Sequence, residues 1–448
     1  MSGIARVLLA RGVPVTGSDA RESRRIVELR ALGATVWVGH DAAHVPTTGA
    51  VAHSTAVKPG NPELRAARER GQRILRRAEI LALLARGLPT VAVCGTHGKT
   101  TTTSMITVGM QACGVDPTFV IGSELAETGA NAHLGRDAWF IVEADESDGT
   151  FLELPRRCGV VTNVEADHLD YWGSYEAVAD AFTEFAAGID PSGFLIACAD
   201  DPGARRLIER AGRAGVDVRS YGTSGDADYR ILDVVPGWPG WQFTLSGPAD
   251  SGGQEAVPVT LRVPGVHNVR NAAAALAAGI GLGLPAPALA AGLAAFTGTR
   301  RRFEYRGTVN GVRVFDDYAH HPTEVAVTLT AARQLAGEGR VIVAFQPYRY
   351  YRTAHFIEDF AAALALADRV VVTEVYGPGE EPIPGASGVV VASRIPLPTA
   401  HVAFEASCAQ MARWVAEWAR PGDVVMTVGP SLGSLVSDTL ARLAQPEP

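Results

Sequence analysis

The sequence predicts an α/β protein with parallel sheets, and three observations predict it. Short apolar runs alternate with helical patterns at both ends of the chain. One such run, Thr90–Cys94, leads straight into Gly95-Thr96-His97-Gly98-Lys99-Thr100-Thr101. The chain has 448 residues, and at roughly 150 residues per domain that is about three domains.

Residues 1–88 form the first segment. Met1–Arg11 reads as a helix and Val13–Ser18 as a short strand ending in Ser18-Asp19. Arg24–Leu32 is a helix closed by Gly33, Thr35–Val38 and Ala50–His53 are strands, and Pro62–Arg70 is a helix stopped by Gly71. An α/β domain of this type ordinarily opens with a strand and a Gly-rich turn. Here the first pattern is a helix, so that strand and turn are expected to be missing from the chain.

Residues 89–297 form the second segment. Its apolar strands are Thr90–Cys94, Trp139–Val142, Gly159–Thr162 and Phe194–Cys198. The stretch Pro236–Pro258 reads as hairpins and loops, and His267–Leu284 as an Ala-rich helix. Residues 298–448 return to strand–helix alternation. Val341–Phe345, Arg369–Thr373 and Asp423–Val428 read as strands, His355–Leu366 and Ser407–Trp418 as helices.

Composition excludes several classes. Apolar residues make up 47%, enough for several cores, and 20% charged residues is too few for general disorder. Forty basic against 48 acidic residues, a formal charge of −8, argue against a nucleic-acid partner, which binds through Lys and Arg. No apolar run reaches the ~18 residues that span a bilayer, and no signal peptide opens the chain. A soluble, cytoplasmic protein with no membrane partner is expected. The five cysteines, Cys94, Cys113, Cys158, Cys198 and Cys408, lack CxxC or zinc spacing and read as small buried hydrophobes in a reducing compartment.

The strongest chemical signal is the turn after Thr90–Cys94. Glycines free backbone N–H groups to cradle phosphate oxygens, and the following helix N-terminus adds partial positive charge. Lys99 suits the β/γ-phosphates and the Thr100 hydroxyl suits Mg²⁺. Val93 stands where the full pattern has its first glycine. The plain alternative is an ordinary strand–helix turn.

Two other strands end in acids. Trp139–Val142 leads into Glu143-Ala144-Asp145-Glu146-Ser147-Asp148, and Gly159–Thr162 into Asn163-Val164-Glu165-Ala166-Asp167-His168. Acids at the carboxyl edge of a parallel sheet sit where ligands bind, and Mg²⁺ takes few protein oxygens beside substrate phosphates. Glu143, read as the first acid after its strand, is the first choice as ligand, and His168 is a candidate for a second ion. The alternatives are a solvated acidic loop and a structural histidine.

Together with His267-Asn268-Val269-Arg270-Asn271 and Asp316-Asp317-Tyr318-Ala319-His320-His321-Pro322-Thr323-Glu324, these stretches resemble the Mur ligases of peptidoglycan synthesis, in their alanine-adding branch. The resemblance covers nearly the whole chain. It implies an N-terminal Rossmann-like domain for a UDP-linked substrate (1–88), a central P-loop ATPase domain (89–297) and a C-terminal Rossmann-like domain (298–448). It implies ATP and one or two Mg²⁺ ions, and an amide joining L-alanine to UDP-N-acetylmuramate through an acyl phosphate. By the same resemblance, Gly95 to Thr101, His267, Asn271, Arg302 and Asp317 contact ATP, and Thr100, Glu143 and His168 hold metal. Ser18, Asp19, Ser54, Thr55, Asn163, Tyr318, His320, Arg349 and Arg352 face the other substrates. Lys99, Glu143, His168, His320 and Arg349 are the implied catalytic set, in a monomer or weak homodimer.

Three departures mark this chain. The family's Gly-rich loop before the Met1-Ser2-Gly3-Ile4-Ala5 helix, which would grip the UDP pyrophosphate, is absent; Tyr348 and Tyr351 stand where the family usually has His and Thr; and Val428-Gly429-Pro430-Ser431-Leu432-Gly433 replaces a Gly-Ala-Gly-Asp turn. Three other readings remain at this stage: a nucleotide-binding paralogue without ligase activity, a peptide-recycling muramate ligase, and a simple P-loop hydrolase. Glu146-Ser147-Asp148 and Gln346-Pro347 argue against the second, and the third leaves His320–Thr323 and Arg349–Arg352 without purpose.

Overall fold

The computed structural model describes residues 1–237, 240–248, 256–432 and 434–445. Part of the Pro236–Pro258 stretch, and Gly433, lie outside the described residues. The chain divides into two compact units. The first holds Met1–Asp233, Phe243–Val259 and Arg270–Phe296, and the second Val234–Gln242, Thr260–Val269 and Thr297–Pro448.

The N-terminal part of the first unit has four short strands. β1 (Thr16–Asp19) pairs in parallel with β2 (Thr35–Val38), and β3 (Val51–His53) with β4 (Ile74–Arg76). They form two separate two-stranded sheets. Val45, Ala66 and Ala67 make a small core there with Val51 and Ile74. The helix Ser2–Ala10 packs closely through Gly3, where a Cβ would lie 3.2 Å from both Val120 and Ala132 side chains.

A ten-stranded sheet follows. Its strands are β5 (Thr90–Cys94), β6 (Thr118–Val120), β7 (Ala132–His133), β8 (Phe140–Glu143), β9 (Cys158–Val161), β10 (Phe194–Cys198), β11 (Val218–Gly222), β12 (Tyr229–Val235), β13 (Trp241–Ser246) and β14 (Ala256–Leu261). Their order is β14-β13-β12-β11-β10-β9-β5-β8-β6-β7. Pairing is parallel from β12 through to β6, and β6 with β7 is antiparallel. β5, β9 and β10 are buried at every residue, which is why they read as unbroken apolar runs.

One correction bears on the chemistry. The strand expected at Trp139–Val142 runs one residue later, so Glu143 is its last residue rather than the first acid beyond it. The ladder carries it there, because Glu143 is still in register with Val93 of β5. The helix Lys99–Ala112 packs on Ala286–Ala295 through glycines. A Cβ on Gly292 would lie 2.8 Å from that of Ala112.

The second unit is a six-stranded sheet, β15 (Glu304–Val309), β16 (Val312–Asp317), β17 (Val341–Phe345), β18 (Arg369–Val372), β19 (Val402–Phe404) and β20 (Val424–Val428), in the order β15-β16-β20-β17-β18-β19. It is parallel apart from the β15–β16 hairpin. Alternate residues face two cores. Val341, Val343 and Phe345 join Val325, Leu329 and Phe360 on one side. Ile342 and Ala344 join Met411, Val415, Leu435 and Val436 on the other.

The sequence expectation differs in three places here. The helix read as His355–Leu366 is two helices, Tyr350–His355 and Ile357–Leu364. Phe356 leaves helical geometry between them (φ −119°, ψ 24°) and sets its ring edge-on to His321 and His355, at 4.9 and 4.6 Å. The Ala-rich helix spans Val266–Gly281 and stops before Gly283, whose φ is +83°. The β15–β16 hairpin was not anticipated, because its Asp316-Asp317 end looks like loop in sequence.

One buried cation ties the acidic turn after β8 to the helix layer. Arg156 donates from Nε to Phe185 O (2.7 Å) and from Nη1 to Phe151 O (3.0 Å) and Leu154 O (2.7 Å). Its guanidinium also lies 4.5 Å from the Phe185 ring centre. Arg156→Met keeps the bulk and strips the donors from four carbonyls, Leu152 O (3.4 Å from Nη1) being the fourth. It is expected to lower the unfolding free energy by about 3 kcal/mol, read from denaturant midpoints at constant m. A loss under about 0.5 kcal/mol would mean the carbonyls find other donors.

Candidate active site

Within the first unit, the turn after β5 is held by contacts that only glycine permits. Gly95 has φ +127° and Gly98 φ +81°. A Cβ on Gly95 would lie 2.1 Å from Thr162 Oγ1, and one on Gly98 would lie 2.7 Å from Asn271 Oδ1. Both positions need glycine for conformation and for space. Asn163 braces the turn from the end of β9: its Oδ1 accepts from His97 N (2.7 Å) and its Nδ2 donates to His97 O (3.1 Å). Both ends of its amide are thus engaged on the loop backbone. His97 Nε2 lies 3.5 Å from Glu165 Oε2.

Lys99 opens the helix and folds back over the turn. Its Nζ donates to Gly95 O (2.8 Å), Thr96 O (3.1 Å) and Glu146 Oε1 (2.8 Å). Burial disfavours this ammonium, but Glu146, Asp145 and Glu143 outweigh that and hold it firmly protonated. Glu146 is almost wholly buried, and burial raises its carboxyl to about 7 despite Lys99. Thr100 Oγ1 donates to Glu143 Oε1 (2.9 Å), and Glu143 Oε2 accepts from Gly122 N (2.7 Å). A hydroxyl and a carboxylate therefore meet beside the loop, and these hard oxygen donors fit Mg²⁺. His168 stands in left-handed backbone (φ +53°), its Nε2 3.5 Å from Asp167 Oδ2 and 3.9 Å from Glu146 Oε1. Thr101 is buried in the first turn of the helix. Asn271 lies one turn after His267 on the helix Val266–Gly281, so the two share a face.

At the N-terminal end of the first unit, Ser18 bonds Glu63 Oε2 (2.7 Å) and His40 Nδ1 (2.8 Å). Asp19 Oδ1 accepts from Arg21 N (3.3 Å). Ser54 and Thr55 follow β3 in a turn closed by Val57 N to Ser54 O (3.1 Å). His44 stacks on Trp37 at 4.6 Å and reaches Glu63 at 3.3 Å.

Within the second unit, a ring of cationic and aromatic side chains gathers at the ends of β16 and β17. Asp317 is buried, and both its oxygens accept backbone amides, from Phe303 N (2.8 Å) and Ala319 N (2.6 Å). Burial raises it to about 6 in spite of Arg302. Its carboxylate organises the turns at Phe303 and Ala319. Arg302 lies 5.4 Å from the Tyr318 ring centre and 3.7 Å from Glu324. His320 sits between the rings of Tyr318 (5.1 Å) and Tyr348 (5.3 Å). Burial, helped by Arg352 and Arg302, lowers His320 to about 4, so the imidazole is neutral at ordinary pH. Arg349 and the buried Arg352 flank the Tyr348 ring at 5.5 and 5.9 Å.

Sequence reasoning gave no place to the contacts made by Glu63, Glu324 and Glu380, and it grouped Glu146 with the acids after β8 without singling it out. The signal for Glu324 was present, because His321-Pro322-Thr323-Glu324 has the spacing of a capping box. Glu324 Oε2 accepts from His320 N (2.9 Å) and His321 N (3.3 Å). Glu380 pairs with Arg349 at 3.0 Å from a distant loop, with no local signal.

Family models match most of the chain. The Mur ligase family catalytic domain matches residues 1–88, the Mur ligase middle domain 93–279, and the Mur ligase glutamate ligase domain 301–430. A UDP-N-acetylmuramate–L-alanine ligase of Acidothermus cellulolyticus is 53% identical over 99% of this chain and 93% of its own. Among solved structures, a UDP-N-acetylmuramate-alanine ligase of Thermotoga maritima is similar at TM-score 0.82, with 26% identity over 99% of this chain and 96% of that one. A murein peptide ligase of Psychrobacter arcticus is similar at TM-score 0.72, with 26% identity over 100% and 97%. With the loop, the acids and the cationic cluster in place, these matches show that the chain belongs to the Mur ligase family.

Proposed function

We propose that this chain is an ATP-dependent ligase that joins L-alanine to the carboxylate of UDP-N-acetylmuramate, in peptidoglycan precursor synthesis. The observation that carries it is the convergence of Lys99, Thr100 and Glu143 on one glycine-built turn. The activity named for relatives up to 53% identical supports it, and they are matched nearly end to end. The three domains are divided near 88/89 and 297/298, and the enzyme works in the cytoplasm as a monomer or weak homodimer.

The chemistry follows in two steps. A muramate carboxylate oxygen attacks the γ-phosphorus of ATP, the bond to ADP breaks, and an acyl phosphate forms. The neutral amine of alanine then attacks the acyl carbon, phosphate leaves, and the amide nitrogen loses its extra proton. Such transfers depend on positioning and charge neutralisation. Lys99 and the backbone N–H groups of 95–101 neutralise the phosphates. Thr100 and Glu143 would hold one Mg²⁺, which supplies charge compensation to the phosphates, and His168 would serve a second ion. Asn271 and His267 face adenine and Arg302 the nucleotide. Ser18, Asp19, Ser54 and Thr55 line the uridine diphosphate site. Tyr318, His320, Arg349 and Arg352 receive alanine, a guanidinium fork suiting its carboxylate.

Two outcomes test this reading. Lys99→Ala is expected to leave the protein folded and to cut ADP release to about 1% or less. ADP release in the unmodified protein is expected to require both UDP-N-acetylmuramate and L-alanine. Release that ignores L-alanine, or survives the Lys99 change, overturns the proposal. A separate expectation, on stability rather than on the reaction, concerns His320, whose folded value near 4 lies below the ordinary 6.5. Below pH 6.5 the unfolded chain takes up a proton that the folded chain refuses, so this stability is complete above pH 6.5 and is lost as pH falls toward 4. His320→Gln should lose less stability over that window than the unmodified protein, by about 2 kcal/mol in denaturant titrations. Parallel stability curves would show that His320 titrates normally.

A further inference from the structure

We infer that Glu380 is a positioning residue for the amino-acid substrate, acting by fixing the guanidinium and the backbone of Arg349. This rests on the proposed role of Arg349 and extends it to a residue outside every motif of the sequence.

The geometry points there from two sides of one carboxylate. Glu380 Oε1 accepts from Arg349 Nη1 (3.0 Å), and Glu380 Oε2 accepts from the next backbone amide, Tyr350 N (2.7 Å). Arg349 has φ +65° and ψ 130°, outside the regions that non-glycine residues ordinarily occupy. Residues in such conformations persist only where their surroundings over-determine them, and they cluster at ligand clamps. Here the surroundings are the 376–380 loop. Arg349 N donates to Tyr376 O (3.0 Å), and Tyr376 N donates to Pro347 O (2.9 Å). Tyr376 stacks on Tyr348 with centroids 6.2 Å apart. Gly377 lets the loop close on Tyr350, for a Cβ there would lie 2.5 Å from Tyr350 Cδ2.

A lone carboxylate spent on a strained residue needs a reason, since an exposed ion pair contributes little to stability. Arg349 and Glu380 are partly exposed, at 41% and 22% of their side chains. A guanidinium is a planar fork, so one donor held by Glu380 sets the plane in which the rest present themselves to a substrate carboxylate. Selectivity for the amino acid follows: ATP and the UDP-linked substrate do not depend on that plane.

The test is steady-state kinetics of the full-length protein, first confirmed to need L-alanine. If the unmodified protein shows no such need, the functional proposal fails, not this one. Glu380→Gln keeps the size and removes the charge. It is expected to raise KM for L-alanine about tenfold or more, with kcat and the KM values for ATP and UDP-N-acetylmuramate within about twofold. Glu380→Asp is expected to fall between. An unchanged KM for L-alanine, an equal rise for all three substrates, or collapse of Tm in both variants would overturn it, the last by making Glu380 merely structural.

Discussion

The first unit is organised around a cation that cannot be buried alone. Lys99 must lie over the glycine turn with little solvent, and an ammonium so placed needs a carboxylate at hydrogen-bond distance. Glu146 supplies it at 2.8 Å. That residue arrives from the turn after β8, which the order β9-β5-β8 places beside β5. The same neighbour brings Glu143 to Thr100, while β9 on the other flank brings Thr162 and Asn163 to the turn. The strand order thus brings both carboxylates to the turn from one flank and its braces from the other. Trp172 closes the assembly, its Nε1 donating to Glu146 O (3.0 Å).

The two units share a device that spacing alone does not reveal. Carboxylates at strand ends, in a loop and in the first turn of a helix hold backbone amides: Glu143 holds Gly122, Asp317 holds Phe303 and Ala319, Glu324 holds His320 and His321, and Glu380 holds Tyr350. An acid that accepts backbone N–H groups lowers the cost of an irregular turn and fixes the side chains on it. Asp317, raised to about 6 by burial, shows that some of these acids are kept for geometry at the expense of easy ionisation.

What the sequence made legible was local. Thr90–Cys94 and Val341–Phe345 fall where unbroken apolar runs place them, because a strand covered on both faces has no polar residue to blur its ends. The glycine turn was legible for the same reason: its conformation is written in consecutive residues. Less legible was anything set by a partner far along the chain. The end of β8 slipped by one residue because the ladder to Val93, not hydropathy, decides it. The kink at Phe356 sets its ring against His321, 35 positions earlier in the chain and joined to it only by the fold. The brace from Asn163 to His97 spans 66 residues, and an asparagine at a strand end reads equally well as substrate-facing until its partners are known. Fold class and the central turn are therefore properties of short windows. Which carboxylate serves which loop is a property of the packed chain.

Tyr348 follows from the same reasoning. It stands where the family usually has histidine, amid two guanidiniums and an imidazole. A histidine there would add a group able to carry charge beside Arg349 and Arg352, and like charges at that distance disfavour protonation. A phenol adds an aromatic face instead, on which both guanidiniums sit at 5.5 and 5.9 Å. Both arginines thus share one aromatic neighbour, and neutral His320 meets the same ring edge-on at 5.3 Å. In the proposed reading the pocket offers a zwitterionic amino acid two cationic forks for its carboxylate and no competing cation for its amine. The substitution thus preserves the charge pattern the reaction needs while changing the residue that frames it.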